Sequence, residues 1–167
     1  MPPLIHSSPV FDFRNEKSRV ELRKWRGSLR GLNRPLVFTN GVFDLLHRGH
    51  ANYLMEARNL GGALLVGVNS DDSVKRLKGD SRPIQSEEDR AYILSMLRSC
   101  DGVVIFGEDT PLEVITFVVP DILVKGGDYK IEDIVGREVV ECGGGIVKTI
   151  PFIEGRSTTG ILERMKK

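Results

Sequence analysis

The strand–turn–helix stretch from Leu36 to His50 constrains the fold of this chain more than any other segment. Leu36 to Phe38 form an apolar run without alternation, which is typical of a strand that is covered on both faces. The run stops at Asn40-Gly41, a pair that is common in turns because both residues tolerate a positive φ. A helix that opens at His47 then returns along the strand. This order predicts the first unit of a parallel α/β sheet.

Two histidines with the spacing His-x-Gly-His stand at the start of this helix. His47 and His50 are three residues apart and therefore share one helix face, which continues through Leu54 and Ala57 toward the core. Free backbone N–H groups at a helix N-terminus suit a phosphate. With three His and 18 Gly in the chain, about 0.004 chance matches to this motif are expected. The stretch therefore predicts a phosphate site.

Two other interpretations of the histidine pair remain open. One histidine could cap the helix while the other is a satisfied core residue. A zinc site is the second alternative, but it needs three or four ligands, and no third His or Cys lies nearby in the sequence. The phosphate interpretation is favoured because the strand–turn–helix context is the one that such a motif requires.

Composition limits the class of protein and the partners. A chain of 167 residues with 40% hydrophobic and 28% charged residues is long enough for one domain with a proper core. A net charge of +1 argues against nucleic acid or an anionic membrane as the main partner. Cys100 and Cys142 form no Cys-x-x-Cys pair and indicate a reducing compartment. No secretory signal or membrane-spanning run is present, so we expect a cytoplasmic protein.

The N-terminal 34 residues are predicted to lie outside the main domain. Residues 1–13 carry three prolines and no clear periodicity, and we expect a loosely held leader. Residues 15–32 repeat apolar side chains at helical spacing among many charges, with Gly31 as a stop, and they predict an appended amphipathic helix. Residues 35–167 are then the functional domain.

Four further apolar runs of strand length follow the first strand, at residues 63–68, 102–106, 121–124 and 146–150. Helix starts are predicted at Ser70, at Ser86 and at Thr110-Pro111, where an N-cap threonine precedes an N1 proline. A weak helix over residues 134–141 and a last helix over 160–165 complete the pattern. We predict a Rossmann-like open parallel five-stranded sheet with helices on both faces, whose ligands collect at the carboxyl ends of the strands.

Polar and flexible segments are predicted at this carboxyl edge. Asn40 and Asn69 end the first two strands. The basic segment 75–83 is either a mobile lid over phosphates or a solvated loop, and the residues alone favour neither. Segment 125–129 contains two glycines that permit close backbone approach to a ligand. Hydroxyl residues 157–159 open the last helix as a second potential anion site, although N-capping is their commoner use.

Taken together, these motifs resemble the cytidylyltransferase-like nucleotidyltransferase family from about residue 35 to the C-terminus. The motifs that carry the resemblance, in chain order, are VFTNGVFDLLHRGH, VNSDDSVKRLKGDSRP, EDTP, VKGGDY and STT. Within the family they are most similar to the branch that transfers AMP from ATP to a heptose 1-phosphate. The resemblance implies direct attack of a substrate phosphate oxygen on the α-phosphate of ATP, giving ADP-heptose, a precursor of lipopolysaccharide or other surface glycans, and pyrophosphate. It also implies Mg²⁺ that is bound mainly through the nucleotide phosphates, without a set of protein ligands, and we expect a homo-oligomer.

The resemblance also implies roles for individual residues. His47, His50 and Lys78 would be catalytic and would stabilise charge that develops on the phosphates. The nucleotide would be held by eleven residues, which are Asn40, Gly41, Val42, Phe43, Arg90, Lys125, Gly127, Asp128, Ser157, Thr158 and Thr159. The sugar phosphate would be met by Asp44, Asn69 and Asp71.

Three points stay open at the level of sequence. Many cytidylyltransferases resemble RTEGISTT at the last motif, whereas here Arg156 stands directly before Ser157, so the role of this arginine is open. A glycerol 3-phosphate cytidylyltransferase would use the same chemistry on other substrates. A non-catalytic nucleotide-binding module is a third hypothesis, which the intact histidine pair and Lys78 disfavour.

Overall fold

The computed structural model describes residues 7–151, which form one six-stranded, all-parallel sheet in the order β1-β4-β3-β2-β5-β6. The strands are β1 (Val10–Asp12), β2 (Leu36–Gly41), β3 (Ala63–Asn69), β4 (Gly102–Phe106), β5 (Ile122–Gly126) and β6 (Ile146–Ile150). The helices are α1 (Glu16–Gly31), α2 (Arg48–Arg58), α3 (Asp71–Lys78), α4 (Glu87–Ser95), α5 (Leu112–Val118) and α6 (Arg137–Cys142), with a 3₁₀ turn at Ile131–Asp133. The predicted Rossmann-like α/β fold is confirmed.

The five predicted strands are present, and the sixth comes from the segment that was expected to be a leader. Strand β1 pairs in parallel with β4 at the edge of the sheet, with Val10 opposite Val103. The side chains of Phe11 and Phe13 are buried in the core. The expectation of a loosely held leader is therefore wrong for this segment, because a three-residue edge strand is too short to produce a periodic pattern. The boundary between residues 34 and 35 stays a prediction.

Apolar layers cover both faces of the sheet, which explains why its strands carry no hydrophobic alternation. Along β2, Phe38 packs into the core cluster on one face and Val37 into the cluster on the other. Strand β3 repeats this arrangement with Leu65 and Leu64. All seven residues of β3 are buried. The chain can therefore approach a ligand only at the ends of these strands.

The strand order fixes where the sheet can bind a ligand. From β2 the chain adds β3 and then β4 on one side, and it returns to place β5 on the other side of β2. Connections on the two sides leave in opposite directions, so a crevice opens at the carboxyl ends of β2 and β5.

Helix α1 has the predicted position and is attached to the sheet by a buried arginine. The side chain of Asn15 caps its first turn by accepting a hydrogen bond from the backbone of Ser18. Arg26, which is 5% exposed, donates to the carbonyl oxygens of Val118 at 3.1 Å and Val119 at 2.9 Å. It also forms an ion pair with Asp121 at 3.0 Å. The N-terminal helix is thus anchored at the end of α5 and the start of β5.

Two helix predictions differ in detail from the structure. Helix α5 begins at Leu112 with Pro111 in the cap position, and no side chain caps it. The predicted cap by Thr110 is therefore not formed. The predicted helix over 134–141 begins only at Arg137, because Gly136 takes a left-handed conformation with φ 88° just before α6. The predicted helix over 160–165 lies outside the described residues.

The two cysteines form no disulfide with each other. Cys100 is buried, and burial raises the pKa of its thiol to about 12, whereas Cys142 is exposed. Among residues 7–151, none of the helices has the length and apolar character that crossing a membrane requires.

We predict that Arg26→Met lowers the free energy of unfolding by about 2 kcal/mol, because two carbonyl groups lose their buried donor. Chemical denaturation measures this quantity. Arg30→Met is the matched control, since Arg30 is exposed on the same helix, and it should change stability by less than about 0.5 kcal/mol. Equal effects of the two substitutions would show that α1 is not anchored through Arg26.

Candidate active site

A cavity of about 540 Å³ opens at the carboxyl ends of β2 and β5, where the strand order predicts a ligand site. We call it the central cavity. One wall is the end of β2 with the following turn, Asn40 to Phe43, together with His50. The opposite wall is the end of β5 with Tyr129 and residues 133–135, and the end of α3 and the turn after β4 close the sides.

The turn after β2 brings backbone close to the cavity in a way that differs from the prediction. Asn40 and Gly41 remain in the strand, and the left-handed residue is Phe43, with φ 50°. Gly41 is needed for a different reason. A Cβ atom on Gly41 would lie 3.0 Å from the ring of Phe43, which folds back over it. The turn that was predicted at Asn40-Gly41 therefore comes after Gly41, and close packing explains the glycine.

The two histidines form a stacked pair at the start of α2. His47 is the N-cap residue, and its Nδ1 accepts a hydrogen bond from the backbone N–H of His50 at 3.4 Å. The ring centroids are 3.9 Å apart with an angle of 19° between the planes. The capping alternative thus holds for His47, but His50 is not a satisfied core residue. Its Nδ1 is buried and has no hydrogen-bond partner.

Burial keeps His50 uncharged at neutral pH. It lowers the pKa of the imidazole to about 4, and the electrostatic effects of His47 and Lys78 act in the same direction, while a hydrogen bond with the backbone of Leu45 opposes them. A buried nitrogen without a partner costs free energy that a bound ligand can recover. An anion placed beside His50 would favour its protonated form and raise this pKa.

Two lysines reach the central cavity from different elements. Lys78 is the last residue of α3 and is exposed at the cavity mouth. Lys125 lies at the end of β5, where its Nζ donates to Asn40 Oδ1 at 3.4 Å and lies 5.6 Å from the ring centroid of Tyr129. Burial lowers the pKa of Lys125. Lys78 and Lys125 supply positive charge for an anion, and two carboxylates, those of Asp109 and Asp133, line other parts of the cavity.

The basic segment 75–83 is partly helical. Its first four residues form the end of α3, and Arg76 is held there by Asp109 at 2.8 Å and by the carbonyl of Gly107 at 2.7 Å. Only Lys78 faces the central cavity with Leu77. Closure of this segment over a ligand stays a prediction.

Arg90 lies close to the site and is held by the protein itself. Its side chain is fully buried and donates to three carbonyl oxygens, those of Gln85 at 3.1 Å, Val42 at 2.7 Å and Asn69 at 2.8 Å. It also pairs with Asp71 at 2.7 Å. These contacts use four of its five N–H groups, and the expected contact with nucleotide stays a prediction. Arg90 ties together the loops that surround the cavity.

Asp44 also forms hydrogen bonds within the protein, and it does not line the cavity. It is 4% exposed and accepts from Arg82 Nη1 at 2.7 Å and from the backbone N–H groups of Ile84 at 2.8 Å and Gln85 at 3.0 Å. Burial alone would raise the pKa of Asp44, but these hydrogen bonds outweigh it and hold the pKa below its usual range. These contacts of Asp44 are all within the protein, and its expected contact with a sugar phosphate stays a prediction.

The remaining predicted residues are divided between the cavity and its surroundings. Asn69 lines the cavity and donates to Ser73 Oγ at 3.0 Å, whereas Asp71 does not line it. Gly127 has φ 106° and its N–H donates to Ile150, and Asp128 is exposed outside the cavity. Residues 156–159, with the predicted anion site at Ser157, Thr158 and Thr159, lie outside the described part of the chain.

Sequence reasoning missed three polar residues that line the central cavity. Asp109 and Thr110 follow β4, and Asp133 ends the 3₁₀ turn after β5. These residues could have been predicted, because ligands collect at the carboxyl ends of strands. Thr110 was overlooked because it has the sequence pattern of a helix cap.

We predict that Arg90→Lys lowers the free energy of unfolding by about 3 kcal/mol, because a buried lysine ammonium cannot reach the four acceptors that the guanidinium serves. Chemical denaturation provides the measurement. Arg98→Lys is the control, since Arg98 is an exposed residue just beyond the same helix, and it should be neutral. If Arg90→Lys left the stability unchanged but weakened nucleotide binding, the result would support a direct contact between Arg90 and the nucleotide.

We predict that His50 titrates near pH 4 in the free protein and at higher pH when ATP and Mg²⁺ are added. Its pKa lies below the ordinary value of 6.5, so its contribution to stability is present above pH 6.5 and is lost as the pH falls toward 4. Proton NMR of the imidazole reports both titrations. A pKa above 6 in the free protein would contradict the burial argument.

Comparison with known proteins agrees with this geometry. The family model described as Cytidylyltransferase-like matches residues 38–164. A crystal structure of the lipopolysaccharide core biosynthesis protein from Thermoplasma volcanium superimposes with a TM-score of 0.60 at 32% identity, over 74% of this chain and 99% of that one.

Similar curated proteins include two that are named bifunctional protein HldE. The one from Nitratiruptor is 52% identical over 97% of this chain and 34% of its own length. The one from Citrifermentans bemidjiense is 59% identical over 79% of this chain and 27% of its own length. The chain therefore spans about a third of the length of these relatives or less. By the family model and by its similarity to the Thermoplasma protein, the chain belongs to the cytidylyltransferase-like family of nucleotidyltransferases.

Proposed function

We propose that this protein transfers AMP from ATP to a sugar 1-phosphate, D-glycero-β-D-manno-heptose 1-phosphate, and releases pyrophosphate. The observation that carries the proposal is the buried Nδ1 of His50, which has no hydrogen-bond partner and belongs to a ring that lines the central cavity and stacks on the ring of His47. Family membership supports nucleotidyl transfer as the reaction class. The resemblance of five motifs to heptose 1-phosphate adenylyltransferases supports the substrates.

The residues of the cavity fit the charge changes of this reaction. An oxygen of the acceptor phosphate attacks the α-phosphorus, and the bond from that phosphorus to the bridging oxygen of the β-phosphate breaks. Negative charge then grows on the leaving pyrophosphate, so catalysis depends on positioning and on preorganised positive partners. We assign this stabilisation to the histidine pair and Lys78. We assign the close contact with the α-phosphate to the backbone of the turn at residues 40–43.

A magnesium ion fits this site if it arrives with the nucleotide. Within residues 7–151, no group of three or more His, Cys, Asp or Glu side chains is arranged to hold a metal. Phosphate oxygens and water would then supply its six ligands. When bound, the ion supplies charge neutralisation between the phosphates.

The wall formed by β5 and the following turn is the proposed site of the adenosine. Lys125 and Gly126 line it beside Tyr129, Ile134 and Val135, which supply apolar surface for a ring. Backbone groups at this wall can read the edge of the base. A site that hydrogen-bonds its own ligand rejects an analogue that leaves those groups unpaired. We therefore propose ATP in preference to CTP.

The acceptor sugar is proposed to lie on the opposite side of the cavity. Asn69, which the sequence predicted for the sugar phosphate, lines that side with Asp109 and Thr110. Their amide, carboxylate and hydroxyl groups suit the hydroxyls of a sugar. We further propose that residues 35–167 form the catalytic domain of a cytoplasmic homo-oligomer, and that the product enters lipopolysaccharide or related glycan synthesis.

We predict pyrophosphate release when ATP, Mg²⁺ and D-glycero-β-D-manno-heptose 1-phosphate are combined with the protein. In competition, ATP should be used at least about tenfold faster than CTP. Activity only with CTP and glycerol 3-phosphate would favour the glycerol 3-phosphate cytidylyltransferase alternative. Nucleotide binding without turnover on any sugar phosphate would favour the non-catalytic module.

We predict that His50→Ala lowers kcat by about 10²–10³, the typical effect of removing one preorganised donor to developing charge. Met55→Ala is the matched control, because Met55 is exposed on the same helix and does not line the cavity. Steady-state kinetics with both variants at equal folded concentration provides the measurement. Near-normal turnover of a folded His50→Ala protein would remove His50 from the mechanism.

A further inference from the structure

Arg14 connects the N-terminal strand to the helices around the site. It follows β1 and lies outside the residues that the family model matches. Its Nη2 donates to Glu87 Oε1 at 2.6 Å, and its Nε pairs with Asp12 at 2.8 Å. Glu87 is 9% exposed. The side chain of Arg14 is 40% exposed, so the ion pair is shielded from solvent only on the Glu87 side.

Glu87 passes this contact on to the start of α3. Its second oxygen, Oε2, accepts a hydrogen bond from the backbone N–H of Asp71 at 2.6 Å. Asp71 is the first residue of α3, and its carboxylate is held by Arg90. The negative charge of Glu87 also suits the positive end of the helix dipole. Arg14 thereby fixes the carboxylate that holds the first turn of α3.

Arg14 also supports the last turn of α3 through Gly107. A Cβ atom on Gly107 would lie 3.3 Å from Cδ of Arg14, so the side chain of Arg14 packs directly over this glycine. The carbonyl of Gly107 accepts from Nη2 of Arg76 at 2.7 Å, and Arg76 is two residues before Lys78. Arg14 therefore contacts a residue that binds the first turn of α3, Glu87, and a residue that binds its last turn, Gly107.

Helix α3 depends on such contacts for its position. It has eight residues, of which only Ser73 and Val74 are buried. A helix of two turns is marginal in isolation and takes its order from tertiary contacts. Its last residue, Lys78, has to reach the central cavity with an exposed side chain. A small change in the direction of α3 would move the ammonium group of Lys78 away from the phosphates.

We propose that Arg14 is a positioning residue for adenylyl transfer, which holds α3 so that Lys78 points into the central cavity. This inference rests on the proposed function, because Lys78 is assigned there to the phosphates. It makes β1 and the residues that follow it a working part of the site, although they lie before the matched family domain.

A double-mutant cycle with Lys78 tests this proposal. Arg14→Gln should lower kcat about tenfold, the middle of the range of coupling between residues that act through one network, with little change in KM for ATP. In a Lys78→Ala background, the same substitution should change kcat less than about twofold. Arg19→Gln is the matched control, because Arg19 packs on Phe13 and Phe117 in the same N-terminal unit and has no contact with Glu87.

If Arg14→Gln lowered kcat by the same factor in the wild-type and in the Lys78→Ala background, the proposal would be overturned. An effect that does not act through Lys78 is expected to be the same in both backgrounds. Wild-type kcat for Arg14→Gln would overturn it as well. Amide hydrogen exchange in α3 gives a readout that needs no substrate. Faster exchange at Asp71–Lys78 in Arg14→Gln, but not in Arg19→Gln, is expected even if the proposed reaction is wrong, and unchanged exchange would refute the structural step itself.

Discussion

The buried guanidinium of Arg90 is the interaction on which the geometry of the site depends. It joins the turn after β2, the end of β3, the start of α3 and the loop before α4 through four acceptors. A guanidinium suits this place because its planar donors are fixed in direction and it stays charged when buried. Each loop alone would be mobile, since none carries enough apolar surface to order itself. Arg90 makes them one rigid rim.

This rim allows the groups that we propose to bind phosphate to be both accessible and fixed. His50 is held between the ring of Phe43, 5.3 Å away, and the stacked ring of His47. Asp44 fixes the loop after α3 with three hydrogen bonds. The buried charged side chains thus hold the loops in place, whereas His50, which has an unpaired nitrogen, faces the cavity. Preorganisation of this kind avoids a reorganisation cost when charge develops in a transition state.

Sequence patterns were sufficient for the parallel α/β fold, and they indicated the edge of the sheet at which the central cavity opens. Continuous apolar runs between helices predict a parallel sheet, and its carboxyl edge then follows from topology. The partners of individual charges could not be predicted in this way. Arg90 and Asp44 belong to motifs that resemble a nucleotide site, but tertiary contacts absorb their hydrogen bonds. Strand β1 was missed because three residues carry too little periodicity, and Thr110 because its cap signal agrees with a helix start that the structure places two residues later.

The fate of isotopic label from ATP tests the central claim most directly, because it identifies which phosphorus the site attacks. Separate reactions with ATP labelled at the α- or the γ-phosphate, Mg²⁺ and heptose 1-phosphate are followed to completion. We predict that the α-label appears in the sugar nucleotide and the γ-label in pyrophosphate. Transfer of the γ-label to the sugar would show attack at the terminal phosphate, and it would contradict a site built to hold pyrophosphate as the leaving group.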